Sequence, residues 1–170
     1  MINNRSIRYA AYGSNLHPLR LMERIRSARL LGSGFIAGHG LHFNKKSVDK
    51  SGKCSIAEAG PGVYVAVYEM SADDKSTLDG IEGVGCGYSD EVIDVPGFSA
   101  CATYIAEDSY LDNIQMPYDW YRELVLLGCR HQRFPEEYVD RIIAIETKAD
   151  PDSARNAKNW QLIERIRQSQ

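Results

Sequence analysis

The sequence predicts an α+β fold: a single domain with a small mixed, barrel-like β-sheet and surrounding helices. Three observations point there. Strand-like and helix-like stretches are mixed without strict β-α-β alternation. The middle strands are joined as a hairpin around Pro96-Gly97. No internal repeat or long linker divides the chain.

The first element is a strand, with Ile7, Tyr9 and Ala11 alternating against Arg8, Ala10 and Tyr12. It breaks at Gly13-Ser14-Asn15, and a helix is expected next on the spacing of Leu19, Met22, Ile25 and Ala28. A strand, a tight turn and a helix N-terminus in series leave backbone N–H groups pointing outward, which suits an anion. A plain strand-to-helix connection with Asn15 as cap is the equal alternative.

Phe35 to Lys45 reads as extended, and Gly38 and Gly40 within it suggest a bulge or close backbone approach. Ser47–Lys53 is a polar loop, and Ile56, Ala57 and Ala59 form a short extended piece ended by Gly60-Pro61-Gly62. Val63 to Met70 is the clearest strand, β-branched and aromatic throughout. Ser71 is placed to cap a short helix ending near Asp79. A glycine-rich loop follows, Gly80-Ile81-Glu82-Gly83-Val84-Gly85-Cys86-Gly87-Tyr88. Glu91–Val95 and Ala100–Ala106 are the hairpin strands. Pro117 suits the first turn of a helix through Tyr121, Leu124 and Leu127 to a stop at Gly128. Pro135 opens another, with Tyr138, Ile142 and Ile145 inward. From Thr147 the chain turns polar, and Trp160, Ile163 and Ile166 fit a final amphipathic helix or a loosely attached tail.

Composition narrows the function classes. A net charge of −3 argues against a nucleic-acid partner. No stretch approaches the ~20 apolar residues of a membrane span, and no apolar run follows the N-terminus as a signal sequence would, so a cytoplasmic location is expected. Cys54, Cys86, Cys101 and Cys129 are widely spaced, without a Cys-x-x-Cys, and the histidines are scattered; neither a metal site nor disulfides are expected. Nucleotide-binding and hydrolase motifs are missing, so any chemistry is expected to need no cofactor.

Glu82 is the first candidate for that chemistry. It lies between Ile81 and Val84 with glycines on both sides. Glycines allow close approach to a ligand, and aliphatic neighbours that dehydrate a carboxylate raise its pKa towards that of a useful general base. An exposed loop carboxylate is the alternative. Tyr104 on a strand and Tyr121 on a helix read equally as core residues or as cavity walls.

Taken together, these motifs resemble the gamma-glutamylcyclotransferase family (the gamma-glutamylcyclotransferase-like or AIG2-like superfamily). The resemblance rests on Tyr12-Gly13-Ser14-Asn15-Leu16, on Leu78-Asp79-Gly80-Ile81-Glu82-Gly83-Val84 and on Cys101-Ala102-Thr103-Tyr104. It continues through the helix Tyr121 to Gly128 and the run from Pro135 to Glu146, covering roughly residues 7 to 147. It implies a domain over residues 1–147 with 148–170 as a polar helix or tail, and a homodimer. The implied reaction converts a gamma-glutamyl amino acid or amine, as in glutathione metabolism, to 5-oxoproline and the free amine by intramolecular cyclisation. Glu82 would be the catalytic acid/base. Tyr9, Tyr12, Gly13, Ser14 and Asn15 would bind the gamma-glutamyl head group, and Tyr88, Tyr104 and Tyr121 would line the same cavity. The glutathione-degrading branch differs at the position of Asn15, and the gamma-glutamylamine branch usually has threonine in place of Ser14. Removal of a gamma-glutamyl protecting group from a biosynthetic intermediate, and a non-catalytic binding domain on the same scaffold, are the other readings.

Overall fold

Strand β5 (Val63–Ser71) is the axis of the fold. Its near-continuous apolar run leaves Val63, Val65, Ala66, Val67, Tyr68 and Met70 at most 1% exposed, so both of its faces are covered. A computed structural model describes residues 5–169. In it β5 pairs antiparallel with β1 (Ser6–Ala11) on one side and with β2 (Arg29–Ile36) on the other. The hairpin β6 (Tyr88–Val95) and β7 (Ser99–Ala106) extends the sheet, β7 running parallel to β1. The five-stranded order is therefore β2-β5-β1-β7-β6, while β3 (His39–Lys46) and β4 (Gly52–Glu58) form a separate two-stranded ribbon.

The sheet is mixed, as expected, and it is not a closed barrel. Its two edges curl towards each other without pairing: a side chain at Gly34 on β2 would sit 2.4 Å from Val95 Cγ1 on β6. The missing side chain at Gly34 permits this approach.

Five helices surround the strands: α1 (Pro18–Met22), α2 (Lys75–Glu82), α3 (Asp119–His131), α4 (Glu136–Ile143) and α5 (Ser153–Gln168). Helix α3 is central, with Trp120, Tyr121 and every residue from Leu124 to Cys129 buried. Leu162, Ile163 and Ile166 of α5 are buried too, so the C-terminal segment is a docked helix and not a loose tail. No described helix is long and apolar enough to cross a membrane.

Several boundaries differ from the sequence reading: β4 starts at Gly52, inside the expected Ser47–Lys53 loop, β6 at Tyr88 and not Glu91, and α3 only at Asp119, beyond Pro117. The helix after Asn15 is only the five-residue α1; Leu19 and Met22 are 38% and 45% exposed, while Ile25 and Ala28 are buried in successive tight turns. Apolar residues three apart fit such turns as well as a helix. The extended run from Phe35 is broken by the turn between β2 and β3. Helix α2 reaches Glu82, where Gly83 ends it in the left-handed conformation (φ 75°), so Glu82 belongs to the last helical turn and not to a loop. Gly128 lies inside α3 and does not stop it.

The reason for Gly128 is contact. A Cβ there would lie 2.3 Å from Leu16 Cβ and 3.0 Å from the His17 nitrogen. Replacing Gly128 with alanine is expected to lower stability by about 1–3 kcal/mol, overpacking outweighing the gain in helix propensity of ~1 kcal/mol. Denaturant unfolding measures this, and an unchanged or raised midpoint would refute the packing account.

Candidate active site

The turn after β1 begins the site. Gly13 precedes a single 3-10 turn, Ser14–Leu16, and among the described residues the Gly13, Ser14 and Asn15 amides donate no hydrogen bond to the protein. The helix that follows is separate: His17 caps it, its Nδ1 accepting from the Leu19 amide, and Pro18 opens it. The anion site expected at this corner would therefore rest on its amides, with little support from a helix dipole.

Across from this turn stands Glu82. One carboxylate oxygen, Oε1, accepts from Asn15 Nδ2 at 2.8 Å and from Arg24 at 3.3 Å. The other, Oε2, accepts no hydrogen bond among the described residues. Asn15 also donates to the Tyr9 hydroxyl at 3.1 Å, and Arg24 donates to Asn15 Oδ1 at 3.1 Å. The amide orientation of Asn15 is thereby consistent with every neighbour: two acceptors face its NH2 and one donor faces its carbonyl. Three chain segments are tied at one point.

The rest of the wall is tyrosine. Tyr9, Tyr12, Tyr88, Tyr104 and Tyr121 line one cleft with Gly13, Ser14, Asn15, Cys54 and Glu82. All nine residues singled out from the sequence meet there. The free space of the cleft is ≈ 310 Å³, open solvent at its mouth included. Their hydroxyls fasten the wall: Tyr88 donates to the Cys54 carbonyl at 2.6 Å, and Tyr121 accepts from the Cys54 amide at 3.0 Å. Tyr12 donates to the Tyr104 carbonyl, and Tyr104 to Asp79 at 2.7 Å.

Burial raises the pKa of all five phenols. It also pushes the Cys54 thiol up to about 12. These groups stay protonated near neutrality and cannot act as bases there. Among the described residues, Glu82 is the one carboxylate lining the cleft.

The environment of Glu82 differs from the sequence expectation in kind. Ile81 and Val84 are 42% and 37% exposed and do not blanket the carboxylate. Its surroundings are polar and cationic instead. Sequence reasoning missed Arg24, Asp79, Lys75 and Cys54. Lys75 and Asp79 are legible in retrospect as an i,i+4 pair, whose ion pair extends to Asp90 at 2.8 Å. Arg24 carries no local signal, because its partner is 58 positions away. Among the described residues no cluster suited to a metal ion forms.

Residues 62–142 match the AIG2-like family. In structure the chain is similar to a gamma-glutamyl cyclotransferase, at 24% identity and TM-score 0.81, covering 95% of this chain and 99% of that one. It is similar to an uncharacterized protein from Homo sapiens at 24% identity and TM-score 0.79, covering 94% and 98%. YkqA from Bacillus subtilis is more distant, with 20% identity and TM-score 0.71 over 85% of this chain and 56% of its own. No protein of curated function matches the sequence. Over residues 62–142 the chain is similar to the AIG2-like family, and over nearly its whole length it shares the fold of the gamma-glutamyl cyclotransferase.

Proposed function

We propose that the protein is a cofactor-independent gamma-glutamyl cyclotransferase, releasing 5-oxoproline and a free amine. One observation supports this most: the Glu82 carboxylate faces the Gly13-Ser14-Asn15 turn across a single cleft with one oxygen held and the other unengaged.

In this reading the substrate's α-amine attacks its own γ-carbonyl. A carbon–nitrogen bond forms, and the bond to the departing amine breaks. The Gly13, Ser14 and Asn15 amides hold the α-carboxylate and fold the glutamyl chain back on itself. Orientation of this kind is worth up to ~7–11 kcal/mol in well-aligned intramolecular reactions. The α-amine, with a pKa of about 8 on the peptide scale, loses its proton to Glu82 Oε2. That proton is then delivered to the leaving nitrogen, which returns Glu82 to its charged form. Asn15 and Arg24 keep Oε1 in place throughout. The buried phenols supply hydrogen bonds without competing for the proton. The glutamyl head group lies deep in the cleft beside Glu82 and the Gly13-Ser14-Asn15 turn, and the leaving group lies towards the mouth.

The test is 5-oxoproline release across gamma-glutamyl amino acids, gamma-glutamyl amines and gamma-glutamyl-protected intermediates. Turnover of at least one class is expected, and its identity separates general degradation from removal of a protecting group. Binding of 5-oxoproline or glutamate with no turnover of any substrate would overturn the catalytic reading in favour of a binding domain.

A further inference from the structure

Lys45 on β3 is only 6% exposed. Among the described residues it makes no ion pair and its ammonium finds no hydrogen-bond acceptor. Its register partner on β4, Lys53, shows what a satisfied lysine looks like in this ribbon: Lys53 Nζ pairs with Asp49 at 2.8 Å. Asp49 is committed to that pair and to Ser51.

The surroundings of Lys45 tie it to the cleft. Its Nζ lies 4.5 Å from the centroid of the Tyr88 ring, a wall of the site, and 5.8 Å from that of Tyr110. The glycine-rich stretch between Glu82 and Tyr88 passes directly over it: a Cβ on Gly87 would come within 2.8 Å of Nζ. Burial is the strongest influence on this ammonium and lowers its pKa; among the opposite charges that offset it, Glu82 leads, ahead of Asp49 and Glu107. Aromatic faces ease the desolvation of an ammonium but leave its N–H donors unused. A largely buried lysine whose ammonium keeps an open approach and spare donors beside the cleft favours an anionic guest.

We propose that Lys45 is the specificity residue for the leaving group, receiving a carboxylate carried by the departing amine. The site then takes gamma-glutamyl derivatives of amino acids in preference to those of simple amines. This rests on the cyclotransferase reading above. The glutamyl half occupies the deep part of the cleft, and the carboxylate of the other half reaches the ammonium at its mouth.

The test measures binding apart from turnover. In full-length Glu82→Gln protein, calorimetry compares gamma-glutamyl-alanine with gamma-glutamyl-ethylamine, which lacks the second carboxylate. The alanine derivative is expected to bind about tenfold tighter or more, as a charge-assisted hydrogen bond implies. Adding Lys45→Met should bring the two dissociation constants within about threefold of each other, whereas Lys45→Arg should keep a preference. Equal affinities in the Glu82→Gln protein, a preference that survives Lys45→Met, or failure of both ligands to bind overturns the proposal. Should Lys45→Met not fold, Lys45→Gln takes its place and is expected to lose the same preference. Release of 5-oxoproline by the wild-type protein is read separately, so a carboxylate preference without turnover rejects catalysis and retains the role of Lys45.

Discussion

Replacing Glu82 with glutamine is expected to lower 5-oxoproline release by ~10²–10⁴-fold, the range for loss of a positioned general acid/base. The substitution isolates proton transfer. The glutamine carbonyl can still accept from Asn15 and Arg24, so the knot joining α1, α2 and the Gly13-Ser14-Asn15 turn keeps its geometry. Arg24 loses its counter-charge, but its side chain is 24% exposed and water covers the deficit. Stability should therefore change little, and the affinity for gamma-glutamyl ligands should hold. The rate loss belongs in kcat, measured as 5-oxoproline formed under saturating substrate. Wild-type-like turnover would reject Glu82 as the proton carrier. No neighbouring group can replace it: burial raises the phenols and the Cys54 thiol away from neutrality.

The second large effect is on stability. Asp150, whose side chain is fully buried, accepts from Trp120 Nε1 at 2.9 Å and from the Asp152 amide at 2.9 Å. It also takes two bonds from Arg155, at 2.7 and 2.5 Å, in a bidentate pair. One carboxylate thus fastens α3, the turn before α5 and the first turn of α5. Asp150→Ala is expected to cost about 3–5 kcal/mol, because it leaves the indole N–H and the guanidinium without their acceptor. For a chain of this length that lowers Tm by roughly 2–4 °C per kcal/mol. Thermal unfolding measures it, and a loss under about 1 kcal/mol would show that the contact is ornamental to the fold.

The same carboxylate makes a pH prediction. Hydrogen bonds from Arg155, with those from Asp152 and Trp120, hold Asp150 at about 2 against an ordinary value of 3.8. The folded pKa is depressed, so below 3.8 the unfolded chain binds this proton first. The stabilisation is complete above pH 3.8 and is lost as pH falls through 2. It amounts to ~2–3 kcal/mol, and in Asp150→Ala this part of the acid dependence should vanish.

Much of the fold is legible in local pattern. The alternation of β1, the unbroken apolar run of β5 and the Pro96-Gly97 hairpin of β6 and β7 all appear as read, since each depends on neighbours in sequence. Pro135 sits at a helix start for the same reason, whereas Pro117 falls two residues before α3 and outside its first turn. Failures occur where local signals are degenerate. Ile25 and Ala28 fit a helix or tight turns equally, and Gly128 looks like a stop until Leu16 is packed against it.

The site divides along the same line. Sequence by itself determined which residues to watch: a Gly-Ser-Asn turn after a strand, a glutamate among glycines, and tyrosines spaced over more than a hundred positions. Tertiary structure alone decided that these line one cleft, that Arg24 and Asn15 hold a single oxygen of Glu82, and that Lys45 lies beside Tyr88 with no ion-pair partner among the described residues. Those contacts join residues 58 and 67 positions apart for Glu82, a separation at which no turn, cap or period leaves a mark on sequence. They exist only because the sheet brings α2 back over the end of β1.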